Sequence, residues 1–203
     1  MADGRLDNLP PHDRRGFFSA GLSELMGPLA RYLEKKLPVH LPIMRTVLRP
    51  PGARPEKEFL ETCYRCGHCA DVCPANAISL MKSTDGKLRG TPHVDPEARA
   101  CVICDDLSCM KGCPSGALKL VDRLAIRMGL AIVDHATCVR SRGESCTICV
   151  DKCPIGFAAI HIGNDGKVKV LEPQAEGPGC TGCGICQQEC PTRPVRAIRV
   201  RAI

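Results

Sequence analysis

The sequence predicts an α+β fold: an N-terminal helical arm followed by four copies of one short cysteine-rich unit. Three observations carry this expectation. Sixteen of the 203 residues are cysteine, and they fall into four groups of four. In every group the fourth cysteine is followed by proline, and soon after each proline comes a short apolar pair. Between the groups lie segments of strand character and Asp-Gly turn signals, whereas helical spacing of apolar residues appears near the N-terminus.

The elements follow in order. Residues 1–62 hold no cysteine and many prolines. From Phe18 the apolar positions Leu22, Leu25, Leu29, Tyr32 and Leu33 recur at helical spacing, which predicts a helix over about residues 14–36. The stretch from Leu37 to Pro55 carries Pro38, Pro42, Pro50, Pro51 and Pro55 and reads as an extended connector. Glu56 to Thr62 reads as a short helix. We therefore expect an arm over residues 1–55 and a repeat domain over residues 56–203.

The repeats are explicit. Group one is Cys63, Cys66, Cys69 and Cys73. Group two is Cys101, Cys104, Cys109 and Cys113. Group three is Cys138, Cys146, Cys149 and Cys153, and group four is Cys180, Cys183, Cys186 and Cys190. Their prolines are Pro74, Pro114, Pro154 and Pro191. The apolar pairs are Ala77-Ile78, Ala117-Leu118, Ala159-Ile160 and Ala197-Ile198. Strand-like segments at 91–95, 130–134 and 167–171 precede groups two, three and four. Asp85-Gly86 and Asp165-Gly166 predict hairpins. The last cysteine of each group is expected to open a short helical turn that the proline ends.

Groups one and four read C-x2-C-x2-C-x3-C-P, the bacterial pattern for a [4Fe–4S] cluster. Three thiolates on one tight loop can reach three iron corners of a cube. Small residues, here Gly67, Gly182 and Gly184, let backbone N–H groups turn toward the sulfurs as an anion nest. The fourth cysteine leaves its loop and, in two-cluster proteins of this pattern, ligates the neighbouring cluster. Groups two and three lengthen the loop but keep the x3-C-P ending, so the same cofactor is expected there, and all sixteen cysteines are the candidate ligands. Two pairings of the groups satisfy the spacing: one with two and three with four, or one with four and two with three. Structural zinc uses paired C-x2-C hooks, a poor match to triads followed by x3-C-P. A disulfide framework fits the even count but leaves the four phased Cys-Pro pairs unexplained. A three-iron or two-iron centre at one group is a further alternative. His68 and His93 lie near cysteines, but sixteen thiolates leave no cube corner for them. Arg65, Lys111 and Lys152 lie inside the loops as solvated charge that could tune a cluster, and Tyr64 reads as a packing residue.

Composition agrees. Aromatic residues make up 3 % of the chain, with no Trp, so a domain of this size needs something else to organise its interior. The formal charge of +6 counts every thiol as neutral. Sixteen thiolates around four cores of roughly +2 each bring the sum to about −2. Nucleic acid is therefore not an expected partner, and the few aromatics offer no base-stacking platform. No apolar run approaches the roughly 18 residues of a membrane span. Sixteen cysteines fill sixteen cube corners, and no G-x-G-x-x-G loop is present. Hence an electron carrier or electron-transfer subunit is expected rather than an enzyme. The alternative is an iron–sulfur subunit or small enzyme with a cluster active site.

With the groups in view, the chain resembles the ferredoxin-type proteins associated with periplasmic nitrate reductase and methylamine utilisation. The resemblance rests on C-Y-R-C-G-H-C-A-D-V-C-P-A-N-A-I at 63–78, G-T-P at 90–92, C-V-I-C-D-D-L-S-C-M-K-G-C-P-S-G-A-L at 101–118 and R-M-G-L-A at 127–131. It continues in the irregular third group, C-V-R-S-R-G-E-S-C-T-I-C-V-D-K-C-P at 138–154, and C-T-G-C-G-I-C-Q-Q-E-C at 180–190. It implies four [4Fe–4S] clusters, which we expect to sit in two tandem two-cluster modules. It also implies electron transfer between redox protein partners, a membrane quinol-oxidising subunit and a soluble redox enzyme. Such proteins carry a twin-arginine export signal, and Arg14-Arg15-Gly16-Phe17-Phe18 looks like its core. Glu24, Gly27-Pro28 and Arg31 interrupt the apolar region that should follow. This leaves a working signal, an uncleaved helix that contacts a membrane periphery or partner, and a cytoplasmic core helix as the three readings.

Overall fold

Backbone pairing begins in the apolar stretch after each Cys-Pro. The computed structural model of the chain describes residues 47–173 and 177–203. The expected helix over about 14–36 and the twin-arginine-like segment lie outside the described residues. Strand β1 (Ile78–Leu80) pairs antiparallel with β2 (Pro92–Val94), with Ile78 opposite Val94. Asp85 turns this hairpin by accepting the Lys87 N–H on its carboxylate at 2.9 Å. Strand β4 (Ile160–Ile162) pairs in the same way with β5 (Val168–Val170), and Asp165 accepts the Lys167 N–H at 3.1 Å. Both expected hairpins are present.

The third sheet joins distant segments. Strand β3 (Gly129–Val133) lies antiparallel to β6 (Ile198–Ala202), from Gly129 opposite Ala202 to Val133 opposite Ile198. The apolar pair of group two has no Asp-Gly turn after it and forms no hairpin. Instead Leu118 bridges Ala53, with the Arg54 N–H donating to Ala117 O at 3.1 Å and the Lys119 N–H to Gly52 O at 2.8 Å. The described end of the connector is thus not a spacer. Arg49 within it is fully buried (0 % exposed). Its guanidinium grips Glu56 in two places, at 3.0 and 2.6 Å, donates to Thr91 Oγ1 at 2.9 Å and Pro92 O at 2.8 Å, and stacks over Phe59 with 4.8 Å to the ring centroid. A buried charge is tolerable when each guanidinium nitrogen is met in this way.

Helix α1 (Glu56–Thr62) forms where expected, with Glu56 and Glu58 in its first turn facing the partial positive charge of the helix start and Phe59 buried beneath it. Four single-turn helices follow: α2 (His68–Asp71), α3 (Ser108–Lys111), α4 (Ile148–Asp151) and α5 (Ile185–Glu189). Their placement corrects one expectation. The third cysteine of each group sits inside the helical turn, and the fourth lies just beyond it rather than opening it. The reason is steric: the residue before proline is pushed out of the helical region, and Cys190, at φ −58° and ψ 126°, shows the resulting conformation.

Two apolar clusters fill the interior. One gathers Leu48, Phe59, Ile78, Val94, Ile103, Met110, Leu118, Ile126 and Met128. The other gathers Ala131, Ile160, Val168, Ala197 and Ile198 with Cys186 and Cys190. Among the described residues no helix is long and apolar enough to cross a membrane.

Candidate metal centres

Every group places its first three cysteines on a loop that runs into a single helical turn. In group one the loop passes through Gly67 at φ 82°, and in group four through Gly182 at 72° and Gly184 at 91°. At Gly182 the requirement is also one of space. A Cβ there would stand 2.3 Å from the Gly129 nitrogen, so the group-four loop rests directly on the start of β3.

The fourth cysteines cross over. Burial pushes the Cys69 thiol up to about 12, and the charges of Cys109, Cys63, Cys113 and Cys66 add to it. Both Cys109 and Cys113 of group two lie near Cys69; because Cys109 lines the cavity described next, we group Cys63, Cys66, Cys69 and Cys113 as site I. Cys73, Cys101, Cys104 and Cys109 line one apolar cavity with Ile78, Ile103 and Leu107, which is site II. Cys138, Cys146, Cys149 and Cys190 line another, site III. Cys153, Cys180, Cys183 and Cys186 line a third, site IV. Cys73 therefore stands among the cysteines of group two, Cys190 among those of group three and Cys153 among those of group four, which accords with the pairing of one with two and three with four.

Burial dominates the thiols inside these sets. It pushes Cys101 up to about 12 and Cys109, Cys149 and Cys183 to about 11. Two crossing cysteines behave differently. Burial also raises Cys113, but it is outweighed by the Leu118 N–H, the Ser115 hydroxyl and the Ser115 and Ala117 N–H groups, which bring the thiol below its ordinary value. For Cys190 the Thr192 hydroxyl and the N–H groups of Thr192, Ala197 and Ile198 do the same. Further N–H groups aim at sulfur: Arg65 on Cys63, Ala77 on Cys73 and Ala131 on Cys180, each at 3.4 Å. The sequence spacing held no sign of Ala131, which reaches Cys180 from β3. Ser115 and Thr192 were visible as hydroxyl residues two positions after a fourth cysteine.

The donor set is uniform. All sixteen cysteines are free thiols. Among the described residues no three His, Cys, Asp or Glu side chains close on one point as a single-ion site requires. Four sulfurs on one zinc lie about 2.3 Å from it; here they stand around a cavity, which suits a polynuclear core. His68 packs on Gly112, and His93 lies in β2 opposite Ser79 with its Nδ1 buried and unpartnered. The Arg65 side chain donates to the Cys63 and Lys87 carbonyls, and Lys111 pairs with Asp106 at 3.5 Å. Tyr64, expected to pack, is 72 % exposed.

The two outer pairs of sites meet in the middle. The Cys101 N–H of site II donates to Cys183 O of site IV at 3.0 Å, and the Cys183 charge adds to the burial of Cys101. Gln188 Oε1 accepts the Ala100 N–H at 2.6 Å and Gln187 donates to Glu97 at 2.8 Å beside this contact.

Comparison with known proteins agrees with this donor set. Residues 62–117, which span groups one and two, match the family described as a 4Fe-4S dicluster domain. The methylamine utilization ferredoxin-type protein MauM of Paracoccus denitrificans is 40 % identical over 156 residues, 73 % of this chain and 69 % of that protein. MauM of Methylorubrum extorquens is 37 % identical over 183 residues, 86 % of this chain and 80 % of that protein. The ferredoxin-type protein NapG of Escherichia coli is 37 % identical over 151 residues, 70 % of this chain and 65 % of that protein. On the strength of these relatives, the chain belongs to the MauM and NapG family of 4Fe-4S ferredoxin-type proteins.

Proposed function

We propose that the protein is a one-electron relay holding four [4Fe–4S] clusters in two tandem two-cluster modules. Site I would take its cluster on Cys63, Cys66, Cys69 and Cys113, and site II on Cys73, Cys101, Cys104 and Cys109. Site III would use Cys138, Cys146, Cys149 and Cys190, and site IV Cys153, Cys180, Cys183 and Cys186. When bound, a [4Fe–4S] cluster supplies exchange of one electron at a potential that its surroundings set.

The observation that carries this reading is the crossing of Cys73, Cys153 and Cys190 into apolar cavities lined by the cysteines of the neighbouring group. The residues fit the cofactor. Each set offers four thiols and no competing ligand, the linings of sites II, III and IV are apolar, and backbone N–H groups point at sulfur where negative charge would collect. Crossing ties I to II and III to IV, and the Cys101–Cys183 contact ties II to IV. The sites thus lie in the order I, II, IV, III, a row with two ends. A relay between two redox proteins uses such a row end to end. By family resemblance the partners are a membrane quinol-oxidising subunit and a soluble redox enzyme.

Anaerobic purification with metal and acid-labile sulfide analysis tests the cofactor: about sixteen iron and sixteen sulfide per chain are expected, whereas four zinc and no sulfide would overturn the reading. Cys73→Ser tests the crossing. It should perturb the site II signal in electron paramagnetic resonance and leave site I intact; damage confined to site I would refute the exchange of ligands.

A further inference from the structure

The crossing sulfurs differ in what touches them, and the difference follows the row. At the two ends a hydroxyl two residues beyond the fourth cysteine returns to its own sulfur. Ser115 Oγ lies 3.6 Å from Cys113 Sγ, which belongs to site I, and Thr192 Oγ1 lies 3.5 Å from Cys190 Sγ, which belongs to site III. In the middle the equivalent positions hold hydrocarbon. Ala75 follows Cys73 and lines site II, and Ile155 follows Cys153 and lines site IV. The free Cys190 thiol donates to Thr192 Oγ1, but a ligating sulfur has no proton and can only accept, so the hydroxyl would donate; such a bond stabilises the more negative, reduced state of the site and so raises its reduction potential.

We infer that the Ser115 and Thr192 hydroxyls hold the outer sites, I and III, at higher reduction potential than the inner sites, II and IV. The inference rests on the four-cluster reading above. An electron given to one end reduces that site by one electron; its passage inward oxidises that site by one and reduces the next, with no proton moved. The ends are therefore where an electron rests, and the middle is the uphill stretch between them. The inner pair is not level. Thr181, with its hydroxyl, is part of the site IV lining, while the site II cavity is lined by Pro51, Ile78, Ile103 and Leu107 beside its cysteines. Site II takes the lowest potential of the four. Exposure fits the same profile: of the sixteen cysteines the exposed one, Cys66, is at the site I end.

Redox titration of the full chain, followed by electron paramagnetic resonance with iron and sulfide measured on the same samples, tests this. Ser115→Ala and Thr192→Ala should each move one high-potential signal downward. The reduced-to-oxidised ratio at a fixed potential should fall several-fold, up to about tenfold, or 59 mV for one electron. Thr192→Ser should restore it. Ala75→Ser should raise the lowest-potential signal, and it decides the matter should Ser115→Ala shed iron. Unmoved midpoints at full iron content, or a signal that Thr192→Ser fails to restore, would overturn the inference and leave the four-cluster reading standing. Wild-type protein without acid-labile sulfide would overturn both.

Discussion

The halves formed by residues 47–128 and 129–203 fold the same repeat with different support. The first half leans on a segment that is not part of the repeat. Leu48 and Phe59, with Ile126 and Met128, add apolar chain to a core that also holds Cys69, Cys109 and Cys183. The second half has no such segment. Its core is five small or β-branched residues together with Cys186 and Cys190, and its partly buried neighbours include Cys138, Cys149, Cys153 and Cys180. In the second half the cavity walls and the core are largely the same residues. The general point is that a metal-binding repeat becomes independent of its metal only where extra apolar chain covers it.

The largest expected effect follows directly. Anaerobic iron removal should abolish hydrogen-exchange protection across residues 129–203, including the β3–β6 ladder, while α1 and the β1–β2 hairpin keep part of theirs. Mass-spectrometric exchange reads both halves at once, and equal loss in the two would erase the contrast. Next in size is Arg49→Ala. It strips Glu56 of a buried partner and leaves a void beside Phe59, for a loss of about 3–5 kcal/mol in the denaturant stability of the first half. Sites III and IV should keep their spectra; if those change first, the halves are not separately supported.

Gly182→Ala tests the seam. The new Cβ would collide with the Gly129 backbone at a residue already at φ 72°, with expected destabilisation of about 2 kcal/mol. Loss of site IV iron with sites I and II retained is the expected outcome, and full iron content would show that the seam yields. The smallest effects compare like with like. Ile78→Val in β1 and Ile160→Val in β4 occupy the same repeat position and are both buried, so each should cost about 1 kcal/mol with iron bound. Thermal unfolding of the two variants should agree, and a clear difference would mean that the repeat geometry is not shared.

Much of this was legible in residue order because it is local. Asp85-Gly86 and Asp165-Gly166 turn their hairpins through contacts two residues apart. The four Cys-Pro pairs end their helical turns through the clash of a proline ring with the residue before it. Glu56–Thr62 starts after Pro55 and places Phe59 inward. A local misplacement, the fourth cysteine at the start of a turn rather than after it, came from giving that clash the wrong reach, and Tyr64, expected to pack, is exposed. The remaining surprises are contacts between distant residues. Leu118 pairs with Ala53 in place of a hairpin, and Arg49, within a proline-rich stretch that looks like a spacer, is buried through Glu56, Thr91 and Phe59.

Sequence by itself determined that there are four groups of four thiols, that each loop presents three of them together, and that short hairpins separate the groups. These depend on spacing, proline sterics and turn chemistry within a few residues. Tertiary structure alone decided where the fourth thiols go, that β3 finds β6, and that Cys101 meets Cys183 at the centre of the row. A crossing cysteine satisfies its own loop equally well with either neighbour. The choice falls to the packing of whole units, with Met110 and Ile103 against the Leu48–Phe59 core and Gly182 against Gly129, and packing is a property of surfaces that no short stretch of residues carries alone.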